Sequence, residues 1–182
     1  MVEVNRFFFA LRPPRPVARR MLLEAEQRDP GGQHQRIDRL HVTIGILDDL
    51  PGVPPDLVPA LRAVGDGIGA DPFPCLFDRV VGGRGIVTLR TGRRNRSLAD
   101  LFGQIEDGMR RAGVGMREDY SFSPHVTLSY RKGGEPFSAV IQGHGWVVED
   151  VVLIHSLVGR TEHRELGRWP LKGGSGPQLS LF

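Results

Sequence analysis

The amino-acid sequence predicts an α+β protein whose two halves are loosely duplicated, with helices outside two small sheets. Segments with strand-like and helix-like periodicity alternate along the chain. In addition, the series histidine, valine, threonine, aliphatic residue occurs twice, at residues 41–44 and at residues 125–128. The two copies stand 84 positions apart in a chain of 182 residues, which is close to half its length.

The first half reads as strand, helix, strand, helix. A strand is predicted at residues 4–11, where aromatic residues fall on both faces, as in a central strand. A helix is predicted at residues 16–27, with apolar residues at helical spacing and a proline in the first turn. The first histidine strand follows at residues 40–47. A second helix is predicted at residues 56–68, where the proline at position 59 is tolerated only in the first turn.

The second half begins with a hairpin. Residues 73–81 and 86–91 are predicted to pair as strands through a glycine-rich turn. The clearest helix of the chain begins at Ser97, where Ser97 and Asp100 resemble a capping box. The remaining predicted strands are the second histidine strand at 124–130 and three further segments at 146–148, 151–158 and 166–171.

Side chains in a strand alternate between its two faces. In the first histidine strand, alternation predicts a core face of Leu40, Val42, Ile44 and Ile46 and an opposite face of His41, Thr43 and Gly45. In the second, it predicts a core face of Val126, Leu128 and Tyr130 and an opposite face of His125, Thr127, Ser129 and Arg131. Each strand therefore presents an imidazole and a hydroxyl away from the core, and pairing the two strands across a groove would point both imidazoles into it.

The composition is that of an ordinary globular protein, with 40% hydrophobic and 25% charged residues. The net charge is only +3, so the charge balance alone is a poor argument for nucleic-acid binding. One cysteine allows no disulfide within the chain, which favours a cytoplasmic location. The apolar stretch at residues 7–11 is too short for a membrane span or a signal sequence, so no membrane association is expected.

Two facing histidines can open a cyclic phosphodiester. One imidazole removes a proton from the attacking water and the other protonates the leaving oxygen, because a pKa near 6.5 lets one ring be neutral while the other is charged. Neighbouring threonine hydroxyls can hold the phosphate oxygens. The sequence contains no His-x-His, no His-Glu-x-x-His and no cysteine pair, so no metal or other cofactor is predicted.

The two motifs, with their surroundings, resemble those of the two-histidine phosphoesterase superfamily. The likeness is greatest to the RNA 2′,3′-cyclic phosphodiesterases of bacteria and archaea, which are also called 2′-5′ RNA ligases. It covers roughly residues 4–171 and includes Arg-Phe-Phe-Phe-Ala-Leu at 6–11, Leu-His-Val-Thr-Ile at 40–44 and Ser-Pro-His-Val-Thr-Leu at 123–128. A late strand that carries a serine in the family is matched by Ser156.

The resemblance implies two pseudo-symmetric αβ lobes with antiparallel sheets lining a central cleft. It implies metal-independent opening of 2′,3′-cyclic phosphate ends of RNA or oligonucleotides to 2′-phosphates. By analogy with the family, His41 is the proton donor and His125 the proton acceptor, although strand alternation alone cannot assign these roles. Thr43 and Thr127 correspond to the family's phosphate ligands.

The chain departs from the family after the second motif. Many members have an arginine five places after the histidine, whereas this chain has Tyr130 followed by Arg131. Alternation predicts that Arg131 lies on the histidine face and substitutes as a phosphate contact, unless the strand ends or bulges first and Arg131 points to solvent. The remaining histidines lack a threonine partner and are predicted to be structural or on the surface, namely His34, His144, His155 and His163.

Residues 1–172 are expected to form one two-lobed domain, and residues 173–182 a flexible tail, because Gly-Gly-Ser-Gly-Pro has the composition of a linker. The chain ends in Gln178, Leu179, Ser180, Leu181 and Phe182. This pentapeptide resembles the short peptide by which bacterial proteins dock on the replication sliding clamp, so the clamp is a candidate partner. Alternatively, its apolar residues fold back on the protein's own surface.

Three other functions remain open from the sequence. The first is 2′-5′ RNA ligation by the same site. The second is hydrolysis of another small cyclic phosphate, such as an ADP-ribose cyclic phosphate. The third is a binding module that recognises RNA ends without turnover.

Overall fold

The computed structural model describes residues 4–160 and 162–172. Within these ranges no helix is long and apolar enough to cross a membrane. The strands are β1 (Val4–Leu11), β2 (Gln33–His34), β3 (Val42–Ile46), β4 (Phe73–Gly82), β5 (Ile86–Arg90), β6 (His125–Tyr130), β7 (Phe137–Val148), β8 (Asp150–Val158) and β9 (Glu162–Pro170). The helices are α1 (Arg15–Arg28), α2 (Leu57–Asp66) and α3 (Arg96–Arg111), with a 3₁₀ turn at Ile37–Arg39.

The two predicted sheets are joined into one antiparallel sheet. Its strand order is β7-β4-β5-β6-β3-β1-β8-β9, and the short strand β2 pairs with β6. The two histidine strands, β3 and β6, lie at the centre and meet at a single residue pair, Val42 and Val126. The sheet thus consists of two four-stranded halves with a narrow joint between them, and both histidines lie beside that joint.

The duplication seen in the sequence has a structural counterpart. The series β1, α1, β3 in the first half corresponds to β5, α3, β6 in the second, each being strand, helix, histidine strand. Each helix packs across the joint, because α1 lies against β6 and β7 whereas α3 lies against β3. Helix α2 packs on α3 and on β8 and β9. The helices and the apolar sides of both halves form one continuous core, which fixes the positions of β3 and β6 relative to each other.

The start of α3 differs from the prediction. The side-chain oxygen of Asn95 accepts a hydrogen bond from the backbone N–H of Leu98 at 3.0 Å, so Asn95 is the N-cap. The predicted capping box of Ser97 and Asp100 is therefore wrong. The helix begins at Arg96, one residue earlier, because asparagine caps a helix as well as serine does.

Strand β7 is longer than predicted. It begins at Phe137 rather than at residue 146, and it pairs with β4 over most of its length. Its first residues include serine, glutamine and glycine and alternate only weakly in polarity, although their burial alternates along the strand. Neither β2 nor the 3₁₀ turn has a local signal in the sequence. The predicted tail at residues 173–182, with its clamp-like peptide, lies outside the described residues.

Candidate active site

Each histidine strand contains a β-bulge three residues after its histidine. In the ladder of β3 with β1, Thr43 pairs with Ala10 and Gly45 pairs with Phe9, so Ile44 is an extra residue. In the ladder of β6 with β5, Leu128 is the extra residue between Thr127 and Ser129. A bulge reverses the alternation of the residues that follow it.

The bulges overturn part of the predicted alternation. Gly45 faces the core, where an added Cβ would lie 3.0 Å from side-chain atoms of Ile105 and of Met116. Ser129 is fully buried, and its hydroxyl donates a hydrogen bond to Asp29. The next residue of each strand faces the cleft instead of the core. Ile46 and Tyr130 both line the cavity beside His41. The predicted orientation is therefore correct as far as Ile44 and Leu128 and wrong from Gly45 and Ser129 onwards.

The two imidazoles are held in the same way. Nδ1 of His41 lies 2.6 Å from the carbonyl oxygen of Arg39, and Nδ1 of His125 lies 2.7 Å from that of Ser123. A carbonyl can only accept, so each Nδ1 carries a proton and donates it two residues back along the chain. Nε2 of each ring is left as the nitrogen that accepts or delivers a proton.

The register at the joint brings the motif residues together. Continuing the pair Val42–Val126 by one residue in each direction sets His41 beside Thr127 and His125 beside Thr43. Each imidazole thus lies next to the threonine of the other strand. The two histidines occupy diagonal positions, which in an antiparallel pair lie roughly 7–8 Å apart.

Aromatic rings surround His41. The Phe8 ring stacks on it with centroids 4.9 Å apart, and the edge of the His163 ring approaches it with centroids 5.7 Å apart. Burial, opposed by the hydrogen bond to the Arg39 carbonyl and assisted by the positive charges of Arg12, His125 and Arg39, lowers the pKa of His41 to about 4. His41 is therefore neutral at pH 7 in the free protein.

Each imidazole has an arginine on the neighbouring strand. Arg90 pairs with His125 across β5 and β6, and its Nη1 donates to Ser123 Oγ at 2.8 Å. Arg12 has the equivalent place beside His41, since it follows Leu11, which pairs with Val42. Burial first, and then the charge of Arg90, lower the pKa of His125. The two sites thus share an electrostatic environment that favours an anion between them.

A cavity of about 160 Å³ opens beside His41. Among the described residues its lining comprises Arg6, Phe8, Gln35, Arg39, His41, Thr43, Ile46, Thr127, Tyr130, Ser156 and His163. The charged members are Arg6 and Arg39. The lining includes His41 and both motif threonines but not His125, so the cavity lies on the His41 side of the joint.

The structure does not bring Arg131 to this cavity. Its Nε lies 3.9 Å from Asp29, its guanidinium lies over the Phe137 ring, and its side chain is only 16% exposed. The expectation that Arg131 lies on the histidine face is wrong, because the bulge at Leu128 reverses the alternation. Nor does Arg131 point to solvent. The residue five places after His125, Tyr130, holds the cleft position instead.

Sequence reasoning misses His163, which it places among the structural or surface histidines. Its Nε2 accepts a hydrogen bond from Arg39 Nη2 at 3.0 Å across 124 positions of sequence. Across the sheet it pairs with Ser156, which pairs with Arg6, so these three side chains form a row on the cleft face. Only the strand register reveals this row; the match of Ser156 to the family is its one sequence signal.

The other histidines have structural contacts. His155 stacks on Phe7 with centroids 4.4 Å apart, and its Nε2 lies 2.8 Å from Asn5 Oδ1, as expected for a satisfied strand residue. His34 contacts a carbonyl oxygen through Nε2. His144 is buried beside Glu24.

Solved structures share this fold. Escherichia coli LigT, in a complex with 3′-AMP, matches with a TM-score of 0.77 and 24% identity over 93% of this chain and 99% of that chain. TT0787 of Thermus thermophilus matches with a TM-score of 0.75 and 21% identity over 92% and 98% of the two chains. The MHV ns2 PDE domain matches with a TM-score of 0.64 and 14% identity over 83% and 99%.

No protein-family model matches the chain, and neither does the sequence of any curated protein. The likeness is therefore one of three-dimensional structure, and it extends over nearly the whole of each chain. The order of strands and helices and the antiparallel sheet agree with the sequence-based expectation. The chain has the fold of LigT, TT0787 and the MHV ns2 PDE domain, in agreement with the α+β class that the sequence predicts.

Proposed function

We propose that the protein is a metal-independent RNA 2′,3′-cyclic phosphodiesterase that hydrolyses cyclic phosphate ends to 2′-phosphomonoesters. The observation that supports this most is the matched anchoring of His41 and His125, each through Nδ1 to a backbone carbonyl, on two adjacent central strands. Two imidazoles with equivalent free nitrogens on either side of an anion site suit acid–base catalysis at phosphorus.

The position of the cavity favours His41 as the acid. In a 2′,3′-cyclic phosphate the leaving oxygen stays on the ribose, so the nucleoside must lie on the side of the proton donor. The cavity beside His41 offers that space. Water then attacks from the opposite side, where His125 removes its proton, and His41 protonates the 3′-oxygen as the P–O bond breaks.

The motif threonines bind the cyclic phosphate. The hydroxyls of Thr43 and Thr127 donate to its non-bridging oxygens, which carry increased negative charge in the transition state. Arg39 supplies positive charge to the cavity, whereas the charge of Arg6 is balanced by Asp49. LigT structures hold 3′-AMP, ATP, NADP⁺ and phosphate, which are ligands of this chemical class.

An acid needs a proton, which His41 lacks at pH 7 in the free protein because its pKa is lowered to about 4. A phosphodiester anion beside Nε2 favours the charged imidazole and raises that pKa. Substrate binding is therefore accompanied by proton uptake at His41. The same coupling keeps His125 free to act as the base, since one negative charge stabilises one imidazolium.

Hydrolysis of adenosine 2′,3′-cyclic phosphate in the presence of EDTA tests the proposal. The wild-type protein is expected to release adenosine 2′-phosphate, and His41→Gln and His125→Gln to lose about 100- to 10,000-fold in kcat/KM. His34→Gln is the matched control, since Nε2 of this histidine contacts a backbone carbonyl and its side chain does not line the cavity. Full activity in either motif variant would contradict the assigned chemistry.

Product analysis separates the alternatives. Release of 3′-phosphate would reverse the assignment of the leaving oxygen, and turnover of an ADP-ribose cyclic phosphate alone would identify the other substrate class. Joining of cyclic-phosphate and 5′-hydroxyl RNA ends would reveal 2′-5′ ligation. Tight binding of such ends with no turnover would identify the protein as a binding module.

For the tail, the proposal rests on the sequence. Residues 1–172 form the catalytic domain, and residues 178–182 dock on the replication sliding clamp through two apolar anchors, Leu181 and Phe182. A peptide of residues 173–182 is expected to bind purified clamp, and Phe182→Ala to abolish binding. No binding at high micromolar peptide would end this proposal and leave the enzyme proposal intact.

A further inference from the structure

We propose that Arg39 and His163 form a subsite for a second phosphate group of the substrate, next to His41. The inference rests on the proposed function and deepens it, because it identifies the substrate as a nucleotide with another phosphate besides the cyclic one. Such a phosphate is the 5′-phosphate of the terminal nucleoside, or the phosphodiester that joins that nucleoside to the rest of an RNA.

The first observation is a pair of buried donors without acceptors. Arg39 Nη2 donates to His163 Nε2, and since a guanidinium can only donate, Nδ1 of His163 carries the ring proton. Arg39 Nε and His163 Nδ1 are both buried and have no hydrogen-bond partner among the described residues. Buried donors in a folded protein are normally satisfied, so an acceptor belongs at this place.

The second observation is the charge around these donors. Arg39 and His163 both line the cavity, and the other charged side chain of the lining is Arg6, whose guanidinium is paired with Asp49. Arg6 lies in the same row on the cleft face as Ser156 and His163. The Arg39 guanidinium, a serine hydroxyl and unsatisfied N–H groups together suit a phosphate, which accepts several hydrogen bonds at once.

The third observation is that the backbone and the side chain of Arg39 make separate contacts. Its backbone carbonyl accepts the proton of His41 Nδ1, whereas its guanidinium reaches His163. The backbone contact fixes the catalytic ring and requires no arginine side chain. The side chain is therefore available for a contact that cleavage of the cyclic phosphate does not need.

Two substrates that differ only in the second phosphate test the inference. These are adenosine 2′,3′-cyclic phosphate and its 5′-phosphorylated form. The wild-type protein is expected to favour the 5′-phosphorylated substrate by about tenfold or more in kcat/KM, the effect of hydrogen bonds to a charged group. In Arg39→Gln, which keeps the backbone carbonyl, that preference is expected to fall close to one.

His163→Phe keeps a ring against His41 and Phe8 but removes the Nδ1 donor, and the preference is again expected to fall. The matched control is Arg36→Gln. Arg36 lies three residues before Arg39, is 72% exposed and is paired with Asp38, so its loss removes the same charge from the surface. The control is expected to keep both the preference and the activity of the wild type.

Calorimetric titration with adenosine 2′-phosphate and adenosine 2′,5′-bisphosphate provides a measurement independent of turnover. Tighter binding of the bisphosphate, lost in Arg39→Gln, supports the subsite even if neither cyclic substrate is hydrolysed, in which case only the proposed function fails. Equal kcat/KM and equal affinity for the two members of each pair overturn the inference. So does an Arg39→Gln variant that loses activity equally on both substrates, because Arg39 then acts only through His41.

Discussion

Ile44 in β3 and Leu128 in β6 are structural equivalents: each is the extra residue of a β-bulge, three positions after the histidine of its strand. Both are fully buried. The bulges allow the histidine and threonine to face the cleft, the next two residues to face the core, and the fifth residue after the histidine to face the cleft again. Position five is therefore the place from which each strand adds a side chain to the site.

Tyr130 holds this position in β6, is 50% exposed and lines the cavity. We expect it to pack against the nucleobase, because an exposed ring beside the nucleoside side of the site offers a stacking surface. Tyr130→Ala should raise KM for adenosine 2′,3′-cyclic phosphate by about 5- to 150-fold, a loss of roughly 1–3 kcal/mol of stacking. Steady-state kinetics measures the effect.

Two comparisons define that result. Tyr130→Phe keeps the ring and should retain the wild-type KM, and glycerol 1,2-cyclic phosphate, which has no base, should be hydrolysed equally by Tyr130→Ala and by the wild type. If Tyr130→Phe is as impaired as Tyr130→Ala, on both substrates, the phenol contacts the phosphate and stacking is excluded.

The motif threonines should contribute through their hydroxyls. Thr43→Val and Thr127→Val preserve the shape of the side chain, so their effect isolates a hydrogen bond to a charged oxygen, worth roughly 1.5–3 kcal/mol, or about 10- to 150-fold in kcat/KM. Thr88→Val is the control, because Thr88 pairs with Thr127 across the ladder but is buried and bonds a carbonyl. A control that loses as much as the motif variants would point to packing.

The maximum of kcat/KM should lie at acidic pH. In the proposed mechanism the active form of the free protein has one protonated and one neutral imidazole, and the pKa values of His41 and His125 are both lowered by burial and by positive neighbours. The maximum of kcat/KM, which reports free-enzyme pKa values, is therefore expected below pH 6.5, with activity falling as the pH rises. A maximum above pH 7 would contradict this assignment.

Removing a neighbouring charge tests the cause of that shift. Arg90→Gln takes away the positive charge that lowers the pKa of His125. The pKa of His125 should rise towards its ordinary value. Because the pKa of His41 is lowered more, His125 sets the alkaline limb of the kcat/KM profile, and that limb should move to higher pH. Arg93→Gln, on the loop beyond β5, is the control and should leave the limb unmoved.

Local patterns in the sequence predict on which face of the sheet the four motif residues lie, because strand alternation holds from His41 to Thr43 and from His125 to Thr127. The prediction fails where the bulges begin. Gly45 is a signal for the first, since glycine inside a strand often marks a bulge. Leu128 and Ser129 give no comparable signal, which is why alternation assigns Arg131 rather than Tyr130 to the histidine face.

Contacts between distant segments explain the rest. Arg39 and His163 meet across 124 positions, and nothing in the surroundings of either residue indicates the other. The single sheet also depends on one residue pair at the joint. Periodicity finds the strands, but their order and register are set by the packing of helices across the halves, which no local pattern contains.

Gly45 should be required for the close approach of β3 to α3. An added Cβ would lie 3.0 Å from side-chain atoms of Ile105 and Met116, within a fully packed core. Gly45→Val should therefore lower the free energy of unfolding by about 1–3 kcal/mol, the usual cost of overpacking. At roughly 2–4 °C per kcal/mol for a chain of this length, thermal denaturation detects the change.

The strand preference of valine acts in the opposite direction, since glycine in a strand costs roughly 0.5–1 kcal/mol of conformational entropy that valine recovers. The direction of the change therefore decides between the two effects. Gly115→Val, outside the strands, introduces the same side chain without a steric contact, because nothing lies within 4 Å of a Cβ there, and it should stay within about 0.5 kcal/mol of the wild type. A Gly45→Val protein as stable as the wild type would mean that β3 can move away from α3, and kcat/KM should then fall because His41 and Thr43 move with the strand.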